Sequence, residues 1–415
     1  MILSKQKFKF ILYTWMVIAL VGEAFAFAIG GMQSVYYLIW NGVRGGLTPD
    51  LFESIWQAAY PQPYETGAIY PPLVYCVLRF FLLFMAQPFP LLDKWTEMIY
   101  LTHSSDGVVI FCIFSLLIFS SLFFLINEFY RGKTYEKVII FLFLIGSSPF
   151  IYMYERGNTV IFSVFFLWIY FSWFNSADPL KREVALVFLS VAICWKIYPV
   201  LAGLMLLTVK DQKCIIHAIC YTLILFFVPF MFTGGVDSLI NMASNITGLS
   251  NETVIDTRDF GFGFKVNISN LYLMIQSILG IQNSGKSTLL SLIYFVVLII
   301  LFVTLSDSND RILTIILMMI TLPPFSWIYN VTYLFIALVI FLNKKDYSIL
   351  DILILLLIFL TLIPLPYGYV FSDLPGINQI TLSTAICNIS LYFIVFVLLG
   401  KVVFSKSKGE KFNAG

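Results

Sequence analysis

Residues Gly280–Ser287 read GIQNSGKS, which satisfies the phosphate-loop pattern G-x-x-x-x-G-K-[ST] at every position. If the stretch cradles a nucleotide, the chain is an α/β protein. If it is only a turn, the chain is all-helical. A phosphate loop lies between a strand and a helix, so that its backbone amides are aimed at the phosphates. No strand pattern precedes Gly280. The apolar run 266–279 comes before it, and a long apolar run begins near Thr288. The stretch therefore reads as a polar turn in which Ser284 or Ser287 caps a helix. ATP is not expected at Gly280–Ser287.

Composition points the same way. Hydrophobic residues make up 60% of the 415 positions and charged residues 12%, with a mean hydropathy of +0.91. Soluble domains carry about 25% charged residues. A chain this apolar cannot cover itself with polar surface, so lipid is its expected solvent. The net charge of +2 gives no reason to expect nucleic acid as a partner. Six cysteines form no C-x-x-C pair, and two histidines are too few for a metal centre. No metal and no cofactor is expected.

Apolar runs set the topology. Lys5, Lys7 and Lys9 precede a run of about 20 residues, long enough for a retained first membrane helix with a cytoplasmic N-terminus. Later runs lie near 107–127, 138–154, 158–175, 184–209, 215–232, 288–305, 311–326, 328–342, 349–364 and 381–400. The run 184–209 is basic at both ends, and 26 residues at 1.5 Å each cannot cross a membrane twice. Two half-depth helices meeting at Lys196–Tyr198 fit. The expectation is an all-α polytopic transmembrane bundle of about 12 helices, some half-length, with both termini inside. Most basic residues, from Lys5 through Arg131, Lys181, Arg311 and Lys344 to Lys411, then fall in short cytoplasmic loops. Two long loops, about 30–106 and 233–287, fall outside.

The first outer loop contains PDLFESIWQAAYPQPYETGAIYPPLVY. From Leu51 the apolar residues recur at helical spacing, which predicts an amphipathic helix in the membrane interface. Asp50 with Glu53 three residues on resembles a capping box, so Asp50 is either a cap or a carboxylate placed for general-base work. YPPL at Tyr70–Leu73 reads as a helix entry. YERGN at Tyr154–Asn158 lies between apolar runs, where Glu155 and Arg156 can pair at the outer surface. Lys196, in CWKIYP, has about a dozen apolar residues on either side. A lysine at mid-membrane costs on the order of 2.5–3.5 kcal/mol, which points to function. Glu23 inside the first helix is also expensive and is expected to pair with a basic residue. In the second outer loop Arg258, Lys265 and Asn267 are placed to meet an anionic lipid head. Sequons at Asn245, Asn251 and Asn267 are potential glycan sites in a secretory pathway.

Taken in order, the acidic residue with its amphipathic stretch, YPPL, RGN at Arg156–Asn158 and KIYP at Lys196–Pro199 resemble the GT-C superfamily of membrane glycosyltransferases. Within it they resemble the bacterial family related to polyprenyl-phosphate-mannose-dependent alpha-mannosyltransferases. VNIS at Val266–Ser269 is similar to that family's N-Q-S motif, with Ile268 in place of Gln. The resemblance covers 1–275, a catalytic module, and leaves 276–415 as variable transmembrane helices.

The resemblance implies transfer of one hexose, mannose by default, from a polyprenyl-phosphate donor to a lipid or glycan acceptor. The transfer occurs at the outer face of a bacterial inner membrane, with inversion. Asp50 would be the general base. Arg156, Lys196, Arg258 and Lys265 would hold the donor phosphate. Glu53, Tyr70, Asn158, Tyr198 and Asn267 would position substrate. A polysaccharide polymerase using lipid-diphosphate sugars and a lipid-linked-sugar flippase are the rival readings. The flippase predicts internal repeats, and none is found.

Overall fold

The computed structural model describes residues 5–39, 49–85, 100–209, 211–255, 265–269, 271–272, 275, 279, 287–324, 326–368 and 381–407. Among these the fold is helical, with no strand and one isolated bridge between Lys265 and Trp327. The α-helices in chain order are α1 Lys5–Gly30, α2 Met32–Tyr36, α3 Pro49–Ala59, α4 Pro72–Leu78, α5 Ser105–Phe129, α6 Thr134–Ile145, α7 Ser148–Arg156 and α8 Val160–Trp173. They continue with α9 Pro179–Trp195, α10 Lys213–Phe227, α11 Gly235–Ile255, α12 Ser287–Thr304, α13 Ser308–Thr321, α14 Leu334–Leu342, α15 Ile349–Leu362 and α16 Leu382–Ser407. Several 3-10 segments join them, including Arg79–Phe84, Tyr198–Thr208 and Val228–Phe232.

Four of these elements are long and apolar enough to cross a membrane: Lys5–Gly30, Ser105–Phe129, Lys213–Phe232 and Leu382–Phe404. The pair α6 and α7 makes a fifth if it counts as one span, bent by 58°. In the sequence, 138–154 reads as one continuous apolar run. The cause of the bend is local: Pro149 in the first turn of α7 lacks an N–H and cannot continue α6. The remaining apolar helices are shorter, such as Val160–Trp173 and Ile349–Leu362. At 1.5 Å per residue a 14-residue helix reaches about 21 Å, short of a hydrocarbon core of about 30 Å.

By packing, the chain forms two units interleaved along the sequence. One comprises 1–39, 126–152 and 257–415, the other 40–125 and 153–256. These boundaries follow contacts rather than the motif-based division near residue 275.

In the first unit a charge cluster gathers several helix ends. Lys344 Nζ lies 2.6 Å from Asp307 and 2.8 Å from Asp351, and Lys401 Nζ lies 2.7 Å from Asp310 and 2.6 Å from Asp351. The cluster joins the starts of α13 and α15 to α16 and to the loop after α14. Asn343 adds α5, donating to Phe129 O at 2.7 Å and accepting from Arg131 N at 2.9 Å. Lys5 donates to Lys344 O, so the start of α1 and the end of α16 share this face. Burial alone would lower the Lys344 ammonium. The carboxylates of Asp310, Asp307 and Asp351 more than offset that and hold it above the ordinary lysine value. Glu23 is buried in α1 at 6% exposure, packed against Gly146, where an added Cβ would lie 3.1 Å from Oε2. The ion pair expected for it is not formed among the described residues.

The second unit buries α3 rather than floating it in an interface. Leu51, Phe52, Ile55 and Trp56 are all buried, because α4 and the 3-10 segment Arg79–Phe84 pack over them. Arg79 pegs this arrangement. Its guanidinium donates to Ala58 O (2.9 Å), Tyr60 O (2.9 Å), Pro61 O (3.3 Å) and Phe232 O (2.7 Å). These are carbonyls that helix ends leave without partners. As expected, the run 184–209 is broken near its middle. Helix α9 stops at Trp195, Lys196 is extended (φ −142°, ψ 136°), and a 3-10 segment starts at Tyr198.

Candidate active site

Asp50 does not cap α3. The helix is described from Pro49 onward, and proline is well tolerated in a first turn because that N–H has no helical partner. Asp50 thus lies in the first turn, a favourable place for an anion. Its carboxylate turns away from the helix to two distant residues. Arg156 Nε donates to Oδ2 at 2.9 Å and Nη2 to Oδ1, making a two-pronged pair. Asn158 Nδ2 also donates to Oδ2, at 2.7 Å. Arg156 and Asp50 side chains are 15% and 13% exposed, so the pair is sheltered but reachable.

Local chemistry explains why Arg156 and Asn158 arrive together. Helix α7 ends at Arg156, and Gly157 takes φ +64°. Gly157 N–H donates to Tyr154 O (3.0 Å) and Asn158 N–H to Met153 O (2.9 Å). This is a Schellman stop, which requires the left-handed residue that glycine supplies. Asn158 then accepts from Val160 N at 3.0 Å and starts α8. RGN is therefore a helix-stop and helix-start signal whose polar side chains point to one carboxylate. Arg156 reaches across to Asp50, a partner about a hundred residues away in sequence.

Lys196 is 6% exposed, at the break between α9 and its 3-10 partner. Its Nζ lies 3.8 Å from the centroid of the Tyr70 ring, a cation–π contact worth about 2 kcal/mol when desolvated. The formal charges acting on it are Asp50, of opposite sign, and Arg156, of like sign. Tyr70 is fixed from both ends: its carbonyl accepts from Tyr64 Oη at 2.8 Å, and its N–H donates to Tyr75 Oη at 3.3 Å. Tyr75 donates onward to Gln57 Oε1 at 3.1 Å. Pro71 and Pro72 then open α4. Trp195 Nε1 donates to Thr159 O at 2.9 Å, tying the residue before Lys196 to the one after Asn158.

Thus Asp50, Arg156, Asn158, Tyr70 and Lys196 come together within the second unit. Glu53 lies one turn along α3, half-buried, and Tyr198 opens the 3-10 segment two residues past Lys196. Lys265 and Asn267 belong to the first unit. Asn267 Nδ2 donates to Pro324 O at 2.6 Å, and Val266 N–H to Ser326 O at 2.9 Å. Lys265 Nζ lies 5.6 Å from the Trp327 ring centroid, and burial holds its ammonium below the ordinary value. Arg258, Ser284 and the rest of 280–286 lie outside the described residues, and α12 is described from Ser287. Two expected glycan acceptors are used internally: Asn267 as above, and Asn245, which donates to Tyr64 O (2.8 Å) and Ala68 O (3.0 Å).

Sequence reading missed Gln57, Tyr64, Tyr75, Thr159 and Trp195. Only Gln57 carried a signal, lying two turns from Asp50 on the same face of α3.

Counted by formal charge with Lys196 protonated, the cluster of one carboxylate, one guanidinium and one lysine amine sums to +1. A carboxylate has about four acceptor positions, and three are filled on Asp50. One remains, on Oδ1, and more are freed if an anion draws Arg156 away. Comparison with family models, with curated proteins and with solved structures returns no match to this chain.

Proposed function

We propose that the chain is a membrane glycosyltransferase of GT-C type, moving one hexose from a polyprenyl-phosphate donor to a lipid or glycan acceptor with inversion. Mannose is the default sugar. The proposal places both termini in the cytoplasm of a bacterium and the site on the outer face of its inner membrane. The observation that carries the reading is the excess cation: Lys196 is buried beside an ion pair that is already balanced. A buried charge without such a use is expensive, and a phosphate anion is its natural complement.

The acceptor oxygen bonds to the anomeric carbon as the bond from that carbon to the phosphate oxygen breaks. The hydroxyl proton goes to Asp50, and the electron pair leaves with the polyprenyl phosphate. Arg156 and Lys196 stabilise that anion in a site shielded from water. Donor phosphate competes with Asp50 for Arg156, so donor binding itself frees the base. Asn158 keeps Asp50 oriented meanwhile. A groove of about 340 Å³ between α5 and α8, lined by Phe124, Phe162, Phe165, Phe166 and Ile169, suits the isoprenoid chain. It begins about one turn from Asn158 along α8.

The test is donor turnover in lipid nanodiscs. Wild type and Asp50→Asn receive polyprenyl-phosphate hexoses with a membrane extract as acceptor, and free polyprenyl phosphate is followed. Release by wild type and loss of about 10²–10⁴-fold in the variant is expected for a general base. Equal release would remove Asp50 from the chemistry. Absence of release with every monophosphate donor would refute the proposal and favour a diphosphate-using polymerase or a flippase.

A further inference from the structure

We propose that the groove between α1 and α6 binds one anionic phospholipid, with its phosphodiester between Lys9 and Lys133 and an acyl chain along Val17, Ile18 and Ile139. This site lies in the first unit and does not depend on the transferase reading. The groove encloses about 360 Å³, within the range of small-ligand sites, about 300–1,000 Å³.

Its polar end is wired so that positive charge is left over. Lys9 Nζ donates one proton to Tyr130 Oη at 3.2 Å and lies 5.2 Å from that ring's centroid. Two ammonium protons remain for a ligand. Glu136 is the one acidic residue lining the groove, and both its oxygens face protein donors. Oε2 accepts from Tyr130 Oη at 2.7 Å and Lys133 N at 3.2 Å, and Oε1 accepts from Tyr135 Oη at 3.5 Å. Tyr13 and Tyr130 hydroxyls bond each other and hold the wall. Two lysines and one glutamate sum to +1, the complement of one phosphodiester. The start of α6, at Thr134, adds its partial positive charge at the same level.

The apolar end faces outward. Ile18 is 54% exposed and Val17 42%, on a helix long enough to cross a membrane. From Lys9 to Ile18 the helix advances about 13 Å, so the groove runs from headgroup depth into hydrocarbon depth. A zwitterionic headgroup would bring its own cation and leave the excess charge unmatched. A phosphate monoester such as polyprenyl phosphate carries about −1.5 to −2 at neutral pH, more than the groove balances.

The test is native mass spectrometry of the full chain in detergent, incubated with phosphatidylglycerol or phosphatidylcholine. Wild type is expected to retain one phosphatidylglycerol, at least tenfold over phosphatidylcholine. Retention should fall at least tenfold in K9Q/K133Q and stay unchanged in K181Q/K213Q. I18W/I139W fills the trench while keeping both charges and should also lose the lipid, so it reads the site even if the lysine variant fails to fold. Three results would overturn the proposal: full retention by I18W/I139W or K9Q/K133Q, equal retention of phosphatidylcholine, or displacement by glycerol 3-phosphate at matched concentration.

Discussion

The Asp50–Arg156 pair offers a quantitative test through a double-mutant cycle with Asp50→Asn, Arg156→Gln and both together. Two unit charges about 4 Å apart at an effective dielectric of 20 attract by about 4 kcal/mol before desolvation and ordering are subtracted. Exposed pairs are worth about 0–1 kcal/mol, and breaking a buried pair costs about 3–5 kcal/mol. With side chains 15% and 13% exposed and two prongs of contact, the coupling should fall between, at about 2–3 kcal/mol. Each single variant should lose about that much stability, because the surviving partner keeps Asn158 or water but loses its counter-charge. The double variant should lose little more than either single one. The assay is SDS-titrated unfolding of the solubilised chain, followed by tryptophan fluorescence. Purely additive losses, with coupling under about 0.5 kcal/mol, would show that the pair does not hold α3 to the α7–α8 junction. The same cycle read as turnover separates the roles. If donor phosphate replaces Asp50 at Arg156, Arg156→Gln should weaken donor binding while Asp50→Asn slows the chemical step.

Two further outcomes follow from local geometry. Gly157→Ala forces a side chain into φ +64° and should cost about 1–2 kcal/mol, with Gly157→Asn costing less; unfolding midpoints of the two variants check this. For Lys344, the folded state raises the pKa above 10.5, so its stabilisation is complete below that value and is lost as pH rises through the folded pKa. The stability difference between wild type and Lys344→Met should therefore be flat up to about pH 10 and shrink above it, and midpoints measured across that range would expose a wrong sign.

Much of the site could be read from short motifs, because each serves a local backbone purpose as well as a chemical one. YPPL opens a helix, RGN closes one and opens the next, and the lysine of KIYP sits where a helix breaks. Their convergence on Asp50 could not be read, since it depends on packing between segments about a hundred residues apart. Of the two readings open for Asp50, the cap falls for a different reason. The spacing from Asp50 to Glu53 imitates a capping box, while Asp50 itself is helical and its carboxylate bonds Arg156 and Asn158. The burial of α3 carried no signal at all: an amphipathic face looks the same whether lipid or α4 covers it. The bend at 146–149 was visible in Gly146 and Pro149 but was obscured by the apolar residues on either side. Basic residues served better. Lys5, Arg131, Lys344 and Lys401, all assigned to one side from loop charge, do gather at one end of the first unit.

Arg79 has a consequence for how relatives of this chain would compare. Its acceptors at Ala58, Tyr60, Pro61 and Phe232 are all main-chain carbonyls, so any side chain at those four positions satisfies it equally. Among diverged copies the arginine should persist while its neighbours drift. An invariant arginine amid variable residues is the usual mark of a substrate-binding group, yet here it would record only how a helix end is held.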